Sequence, residues 1–351
     1  MKQIIFLSYE PGMGGSAFYQ AINIDYLLSN GNNVILIDEN PEYTLNYVQM
    51  PNHDHFKVIK EKVWSGGNEI NPLLKTLVKS YKKTIIALSN PGVLVRYFSI
   101  LKNIRNQFKT KIIITLHSGM LSMTARRYFL EWAASFAMLH MNKVIFVSIF
   151  TQHYWKKRYP WLHISDSCVV SNGVTIPQIL INRRRNGNLR IGFVGRINPE
   201  KDPKLFCEIA QLARNLRSAM EFHMFGDGPL LLKLEREYYS SIILHGLVKN
   251  QDEIYNQIDL LLVTSPVENC PFAVLQAKSY GIPTVSSAVG GLPEIIQSGL
   301  DGIVIKERTA ESMLKALQEA QIIYDKLSIG CLKNRLKYSI QKSAQNTWDD
   351  L

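Results

Sequence analysis

The sequence predicts an α/β protein built from two doubly wound, Rossmann-like parallel sheets in succession. Apolar runs of strand length recur along the 351 residues and alternate with longer segments of helical periodicity, the order that builds parallel sheets. Most of the runs are apolar throughout, as befits strands covered on both faces. A polar, basic stretch without periodicity, INRRRNGNLR (181–190), divides the series, and the length is comfortable for two cores.

The first series opens with QIIFLS (3–8), followed by a segment whose Ala17, Ile24, Leu27 and Leu28 form a helical stripe ending at Gly31. NVILID (33–38) completes a βαβ unit. Residues 40–80 carry no clear pattern, and His53 and His55, two apart, cannot share a helix face and read as surface. TIIALS (84–89), KIIITLH (111–117) and KVIFVS (143–148) are further strands, and VVSNGV (169–174) closes the first half. Between the last two of these strands, 124–141, strongly apolar with two arginines at its start, reads either as an amphipathic membrane-surface helix or, preferably, as a buried helix between sheet and surface. The run TQHYWKKRYPWLH (151–163) suits either a lipid headgroup layer or a surface helix laying its lysines over apolar neighbours. The second series has strands at 190–196, 221–226, 241–246, 259–263, 283–288 and 302–306, helices at 203–217, 229–239, 251–257 and 292–298, and a helical tail from 309 to 346.

Composition narrows the function classes. Hydrophobic content of 46% and charge of 20% describe a globular chain, and no apolar run approaches the roughly 20 residues of a membrane helix. The run Ile4–Leu7 is too short for a signal peptide, and four scattered cysteines without a C-x-x-C pair point to reduced thiols in the cytoplasm. Residues 1–180 carry 19 Lys+Arg against 10 Asp+Glu, whereas 181–351 carry 21 against 19. The basic first half suits an acidic acceptor or an anionic membrane surface. Nucleic acid competes for that charge, but the chain has no helix-turn-helix pattern, RNP segment or zinc-finger spacing, and no nucleic-acid partner is expected.

Chemistry concentrates at strand ends. After the run Asp259–Val263, the pattern breaks at Thr264, Ser265 and Pro266 and becomes helical from Pro271 to Tyr280, with Gly281 as the cap. Glu268 thus stands beyond a strand's carboxyl end and before a helix N-terminus. Ligands bind there in open α/β sheets, and there too a carboxylate can serve its own helix dipole. In GFVGRINPEKDP (192–203), Arg196 and Lys201 flank a similar loop, with Asp202 placed as N-cap. Two cations and a helix N-terminus can hold a diphosphate without metal, or they can pair with Glu200 and Asp202 as a solvated cluster. Gly14 and Gly15 form either a phosphate-approaching turn or a plain tight one, GDGP (226–229) is likewise a turn, and Gly290–Gly291 precede another helix start. His117 closes its strand at the carboxyl end.

These stretches resemble, in order, the signature of retaining, nucleotide-sugar-dependent glycosyltransferases of the two-domain GT-B fold (family 4-like, glycosyl transferases group 1). The resemblance covers most of the chain and is strongest over 171–305. In that family a Glu, seven residues and a second Glu span a strand–loop–helix joint, with Pro three after the first. Glu268 and Pro271 match, but Gln276 stands at the second Glu. The resemblance implies two domains facing across a cleft: an acceptor-binding domain over 1–182, a nucleotide-sugar-binding domain over 183–335, and a C-terminal helix, 336–351, returning to the first domain with Tyr338 and Trp348 as anchors. It implies that Arg196 and Lys201 neutralise the leaving diphosphate, that Glu268 and His117 meet the reacting sugar, and that Gly14, Gly15 and Gly226 line the donor. Gln276 meets the ribose, where it accepts more weakly than Glu.

The expected function is transfer of a sugar from a nucleoside-diphosphate donor to a glycan, lipid-linked saccharide or protein. Retention of configuration, no metal or cofactor, a role in bacterial surface-polysaccharide synthesis and peripheral contact with an anionic membrane complete it. The alternative is a non-catalytic binding subunit with a degenerate donor site, which Gln276 favours. A nicotinamide-dependent oxidoreductase lacks its glycine fingerprint.

Overall fold

The structure, a computed structural model, describes residues 1–10, 12, 14–66, 69–117, 124–162, 166–178 and 187–351. Its chain divides into two compact units, one comprising Met1–Gly173 with Ile340–Leu351, the other Val174–Ser339.

Unit 1 contains β1 (Gln3–Leu7), α1 (Gly15–Ser29), β2 (Asn33–Asp38), α2 (Glu42–Leu45), β3 (Phe56–Lys60), α3 (Ile70–Lys79), β4 (Thr84–Leu88), α4 (Pro91–Phe108), β5 (Lys111–Leu116), α5 (Ala125–Met138), β6 (Lys143–Phe146), α6 (Ile149–Arg158) and β7 (Ser167–Val169). The strands form one parallel sheet in the order β3-β2-β1-β4-β5-β6-β7. Alternate residues of its central strands feed two cores. Ile5, Leu7, Ile35, Ile37, Ile86 and Ile112 pack on one face with Leu74, Val93 and Leu101 of α3 and α4. Ile4, Phe6, Val34, Leu36, Ile85 and Ile113 pack on the other with Ile24 and Leu28 of α1. Continuous apolar runs therefore arise because each strand is covered on both sides.

Unit 2 contains β8 (Leu189–Val194), α7 (Pro203–Asn215), β9 (Met220–Phe225), α8 (Leu231–Tyr238), β10 (Ile243–Gly246), α9 (Gln251–Tyr255), β11 (Leu260–Val263), α10 (Phe272–Ser279), β12 (Thr284–Ser287), α11 (Leu292–Ile295), β13 (Gly302–Ile305), α12 (Ala310–Ile322) and α13 (Tyr324–Asn334). Its sheet is also parallel, in the order β10-β9-β8-β11-β12-β13. In both units the direction of winding reverses beside the first strand, between β1 and β4 and between β8 and β11. That reversal opens a crevice at the strands' carboxyl ends.

Several expectations are corrected. The pattern left 40–80 open because β3 is an edge strand whose residues FKVIK mix exposed lysines with half-buried apolar side chains, unlike the buried runs beside it. Pro271 is the N-cap, not the first helical residue, and α11 stops at Ile295 because Gln297 N–H turns to Asp301 Oδ1 (2.9 Å). The units exchange chain at 173/174 instead of 182/183. Val174 donates its N–H to Tyr338 O (2.9 Å) and bridges Ser339, which ties it to unit 2. Residues 181–186 of the expected linker lie outside the described residues.

The last helix, α14 (Ile340–Trp348), belongs to unit 1, four residues later than the expected start at 336. Trp348 is 4% exposed, meets Phe6 edge-on at 5.9 Å and donates from Nε1 to Asn23 Oδ1 (2.9 Å). Lys143 Nζ reaches the carbonyls of Asn346 and Thr347. Tyr338 serves unit 2 instead: its hydroxyl donates to Glu294 O (3.5 Å), and the Lys278 ammonium lies 5.3 Å from its ring centre. Trp348→Ala is expected to cost about 3 kcal/mol of stability, the usual loss for a buried indole replaced by a methyl group. Urea unfolding of the full chain checks this, and a loss within error would mean that the helix is not anchored by its indole.

Candidate functional site

Two loop clusters gather the predicted residues, one at the carboxyl edge of each sheet. In unit 2, β8 and β11 are neighbours, so the loops that follow them are brought together. Lys201, in a 3-10 turn (Pro199–Lys201), and Glu268, beyond β11, form an ion pair with Nζ–Oε1 of 2.5 Å. Ser265 Oγ donates to the same carboxylate oxygen (2.7 Å), and Thr264 Oγ1 donates to Lys201 O (3.1 Å). Glu268 is only 8% exposed. A carboxylate so enclosed needs a cation and hydrogen bonds, and it has both. Its main reading is therefore not as a helix-dipole partner.

The backbone around Glu268 is clasped by glycine. Gly290 sits at φ +57°, and a Cβ there would fall 1.8 Å from Glu268 O. The next residue, Gly291, donates its N–H to that carbonyl (2.8 Å). On the other side of the loop after β8, a Cβ on Gly226 (φ +145°) would lie 1.9 Å from Gly195 O. The GDGP turn thus lies backbone-to-backbone against the segment that carries Arg196, and only glycine allows that approach.

Asp202 caps α7, accepting from Leu205 N, and its carboxylate pairs with Arg308, which follows β13. Arg308 also donates to Thr264 O (3.1 Å). It therefore ties together the loops after β8, β11 and β13, and sequence reasoning missed it because those loops are distant in the chain. Arg196 differs from Lys201. It is largely exposed and pairs with Glu200 at 3.3 Å, so the solvated-cluster reading describes Arg196 while Lys201 turns inward.

Gln276, on α10, is 8% exposed, and the buried Tyr255 hydroxyl donates to its Oε1 (2.9 Å). The amide oxygen expected to accept from a ribose is thus already engaged by a protein hydroxyl. No signal in the sequence linked Tyr255 to this position.

In unit 1, Gly14 is the extended N-cap of α1 and Gly15 its first residue, so the glycine pair opens a helix at the carboxyl end of β1. Its neighbours Pro11 and Met13 lie outside the described residues. His117 follows β5 and meets Tyr19 of α1 edge-on at 4.5 Å, which brings it beside the first turns of that helix. Burial lowers its pKa to about 4, leaving a neutral imidazole, and Nε2 has no hydrogen-bond partner among the described residues. Ser118 and Gly119 lie outside the described residues.

The same edge holds a carboxyl that sequence reasoning passed over. Glu10, 4% exposed, accepts at Oε1 from Ser16 Oγ (2.7 Å), Gln20 Nε2 (2.6 Å) and Ser8 Oγ (3.3 Å). Burial, opposed in part by these donors and aided by nearby Asp38, pushes its pKa up to about 7; Asp38 is also raised, chiefly by burial. Among the described residues no group of three or more His, Cys, Asp or Glu is arranged to hold a metal ion.

Residues 188–321 match the family model described as "Glycosyl transferases group 1". The chain is 30% identical over 133 residues to an Escherichia coli "UDP-Gal:alpha-D-GlcNAc-diphosphoundecaprenol alpha-1,3-galactosyltransferase", a match over 36% of this chain and 34% of that protein. It thus spans about a third of that relative's length. A Klebsiella pneumoniae "Uncharacterized 41.2 kDa protein in cps region" is 24% identical over 309 residues, 74% of this chain and 81% of that one. Among solved structures, Anabaena Alr3699/HepE in complex with UDP-glucose has a TM-score of 0.77 at 16% identity, with 100% of both chains covered, a likeness of fold.

Glu10 makes stability depend on pH. An unfolded carboxyl releases its proton near 4.5 and the folded one near 7, so the folded chain holds an extra proton between those values. Stability attributable to Glu10 is full below the window, falls as pH rises through it and stays low above. His117 acts oppositely, losing stability as pH falls from 6.5 towards 4. Glu10→Gln removes the first contribution and leaves the second. Between pH 5 and pH 8 the variant should gain on the order of 2 kcal/mol relative to the parent, from the usual worth of a pKa shift. Urea midpoints at both pH values measure this, and parallel pH profiles for the two proteins would contradict it.

Proposed function

We propose that the protein transfers a sugar from a nucleoside-diphosphate donor to an acceptor, with retention of configuration, a reading supported by the match of residues 188–321 to the group 1 glycosyl transferase model and by the GT-B-like fold. The Lys201–Glu268 pair carries this reading. Breaking the bond from the anomeric carbon to a diphosphate oxygen leaves negative charge on that oxygen and positive charge on the sugar. An ammonium and a carboxylate held side by side match that separation. Lys201, with Arg196 from the outer side of the loop, meets the diphosphate, and the N-terminus of α7 adds its potential. Glu268 faces the carbon that becomes cationic. Gln276 meets the ribose, the neutral His117 meets the sugar, and the glycine-opened start of α1 lies toward donor and acceptor, roles carried over from the family resemblance. These cations do the work that a divalent metal performs elsewhere, so the reaction needs neither metal nor cofactor.

The basic first unit meets the acceptor. A lipid-linked saccharide used in bacterial surface-polysaccharide synthesis is the acceptor class we favour, supported by the diphosphoundecaprenol-dependent relative and the cps-region relative. The protein then works in the cytoplasm, at the inner face of the membrane. A second reading, a non-catalytic binding subunit, rests on Gln276, whose oxygen is held by Tyr255. Hydrolysis of a nucleotide sugar by the purified chain, with UDP-sugars tested first, decides between the two.

Lys201→Ala and Glu268→Gln are each expected to lower kcat about a hundredfold, the usual cost of removing one preorganised electrostatic group, with the fold retained. Arg196→Ala should act in the same direction, and activity should persist in EDTA. Unchanged kcat in Glu268→Gln would refute the assignment of the sugar-facing carboxylate, and loss in chelator restored by Mn²⁺ would refute the metal-free mechanism.

Gln276→Glu keeps an acceptor for the Tyr255 hydroxyl and turns a second oxygen toward the ligand. Calorimetric titration should show nucleotide binding tightened or unchanged, because repulsion by the diphosphate opposes the gain. Tyr255→Phe frees the amide oxygen and should cost about 1 kcal/mol of stability, the typical worth of one buried hydrogen bond. Nucleotide binding weakened tenfold or more by Gln276→Glu would exclude a ribose contact there.

A further inference from the structure

The aromatic side chains of α5 and α6 divide between the core and the surface. Trp155 and Tyr159, within the aromatic–basic run, are buried in the core at 0% and 1% exposure. Helix α5, which its apolar content placed between sheet and surface, turns small residues and a methionine inward (Ala134, Ala137, Met138) and large ones outward. Phe129 is 69% exposed, and Trp132, Phe136 and Leu139 are 39%, 40% and 42% exposed. Their spacing of three, four and three puts them on one helical stripe.

The outward rings form a continuous ladder. Phe129 and Trp132 have centroids 5.5 Å apart, Trp132 and Phe136 4.8 Å, and Phe136 stacks on Trp161 at 4.9 Å. Trp161 is held in place by donation from Nε1 to Ser135 Oγ (3.1 Å). At the other end, the Arg158 guanidinium lies 5.0 Å from the ring centre of exposed Tyr128. The surroundings are cationic. Residues 124–162 contain six Lys and Arg against one acidic residue, Glu131, which is buried and engaged by Arg127 and Tyr154. Arg126 and Lys157 are exposed.

Contiguous exposed apolar surface with a polar rim marks a place of contact. A second copy of the chain would bring like charges together across a two-fold axis, which is unfavourable. An anionic bilayer presents a layer that accepts aromatic rings and attracts Lys and Arg. We infer that the outer face of α5, with Trp161, docks on an anionic lipid surface, its rings among the headgroups and Arg126, Lys157 and Arg158 toward lipid phosphates.

The position suits this role. α5 begins after β5 and ends just before β6, which pairs parallel with β5, so the helix runs back along the sheet. Tyr128 and Phe129 in its first turns therefore stand toward the carboxyl edge that carries His117 and the start of α1. The inference deepens the proposed function, since a lipid-borne acceptor is met at such a surface, but its test reads binding and no sugar transfer.

The full chain is sedimented with vesicles of phosphatidylcholine, with and without phosphatidylglycerol. Binding is expected to the anionic vesicles, to weaken with added salt, and to fall at least about tenfold in Phe129→Ser/Trp132→Ser, both exposed positions whose loss removes two interfacial rings. Circular dichroism and thermal unfolding should match the parent. Arg126→Gln/Lys157→Gln should remove much of the salt-sensitive part while sparing the fold. Vesicle binding by a chain without transferase activity would uphold the inference and count against the proposed function alone. No binding to anionic vesicles at low salt, or undiminished binding by the serine variant, overturns it. So does a concentration-dependent dimer abolished by that variant, which would assign the face to a second copy.

Discussion

A carboxylate enclosed by protein must be neutralised, and the ammonium of Lys201 beside Glu268 meets that need at the point where the second sheet reverses its winding. Much of unit 2's local construction serves this pair. β8 and β11 must be adjacent to bring the two loops together. Gly290 must lack a side chain so that the backbone can press against Glu268 O, and Gly226 so that the neighbouring turn can close on Gly195. Arg308 then binds the cap residue Asp202 to the loop after β11. On the proposed reaction, a diphosphate entering there would compete with Glu268 for the Lys201 ammonium, linking anion binding to release of the carboxylate through one side chain.

Unit 1 handles buried polarity differently. Its edge has Glu10 and Asp38 close together with raised affinities for protons, and the hydrogen bonds that reach Glu10 come from neutral hydroxyls and an amide. Ser16 and Gln20 lie on α1, so the same bonds that satisfy Glu10 also fasten the first turns of the glycine-opened helix to the loop behind it. Nearby His117 stays uncharged because it is shielded. Charged pairs hold the loop cluster of unit 2, while groups of raised proton affinity and a neutral imidazole hold that of unit 1.

Most strands were legible because each central one is covered on both faces and so reads as an unbroken apolar run. β3 was not, since this edge strand is half-exposed and carries two lysines among its five residues. Arg196, Lys201 and Glu268 could be placed at strand ends from spacing alone, and Glu200 was a visible partner for Arg196, yet the long-range partners were not. Lys201 meets a residue 67 positions away, and Arg308 reaches Asp202 across 106, because strand order brings those loops together. Nothing local to Gln276 reveals that Tyr255 holds its oxygen. The aromatic pattern of α5 and α6 left two readings open for a related reason: apolar content signals burial only when the core has room. Small residues of α5 fill the space against the sheet, and the large ones are left outside.

The return of α14 has a consequence for the order of assembly. Unit 2 is one unbroken stretch of chain, whereas unit 1 needs residues made both before and after it. During synthesis the second sheet can therefore complete its core first, although the first sheet emerges earlier. Until Trp348 has been added, Phe6 and the α1 side of the first sheet lack their cover, and Asn23 lacks the indole that donates to it. The last dozen residues thus act as a closing latch: the first unit becomes whole only when the second has already been translated.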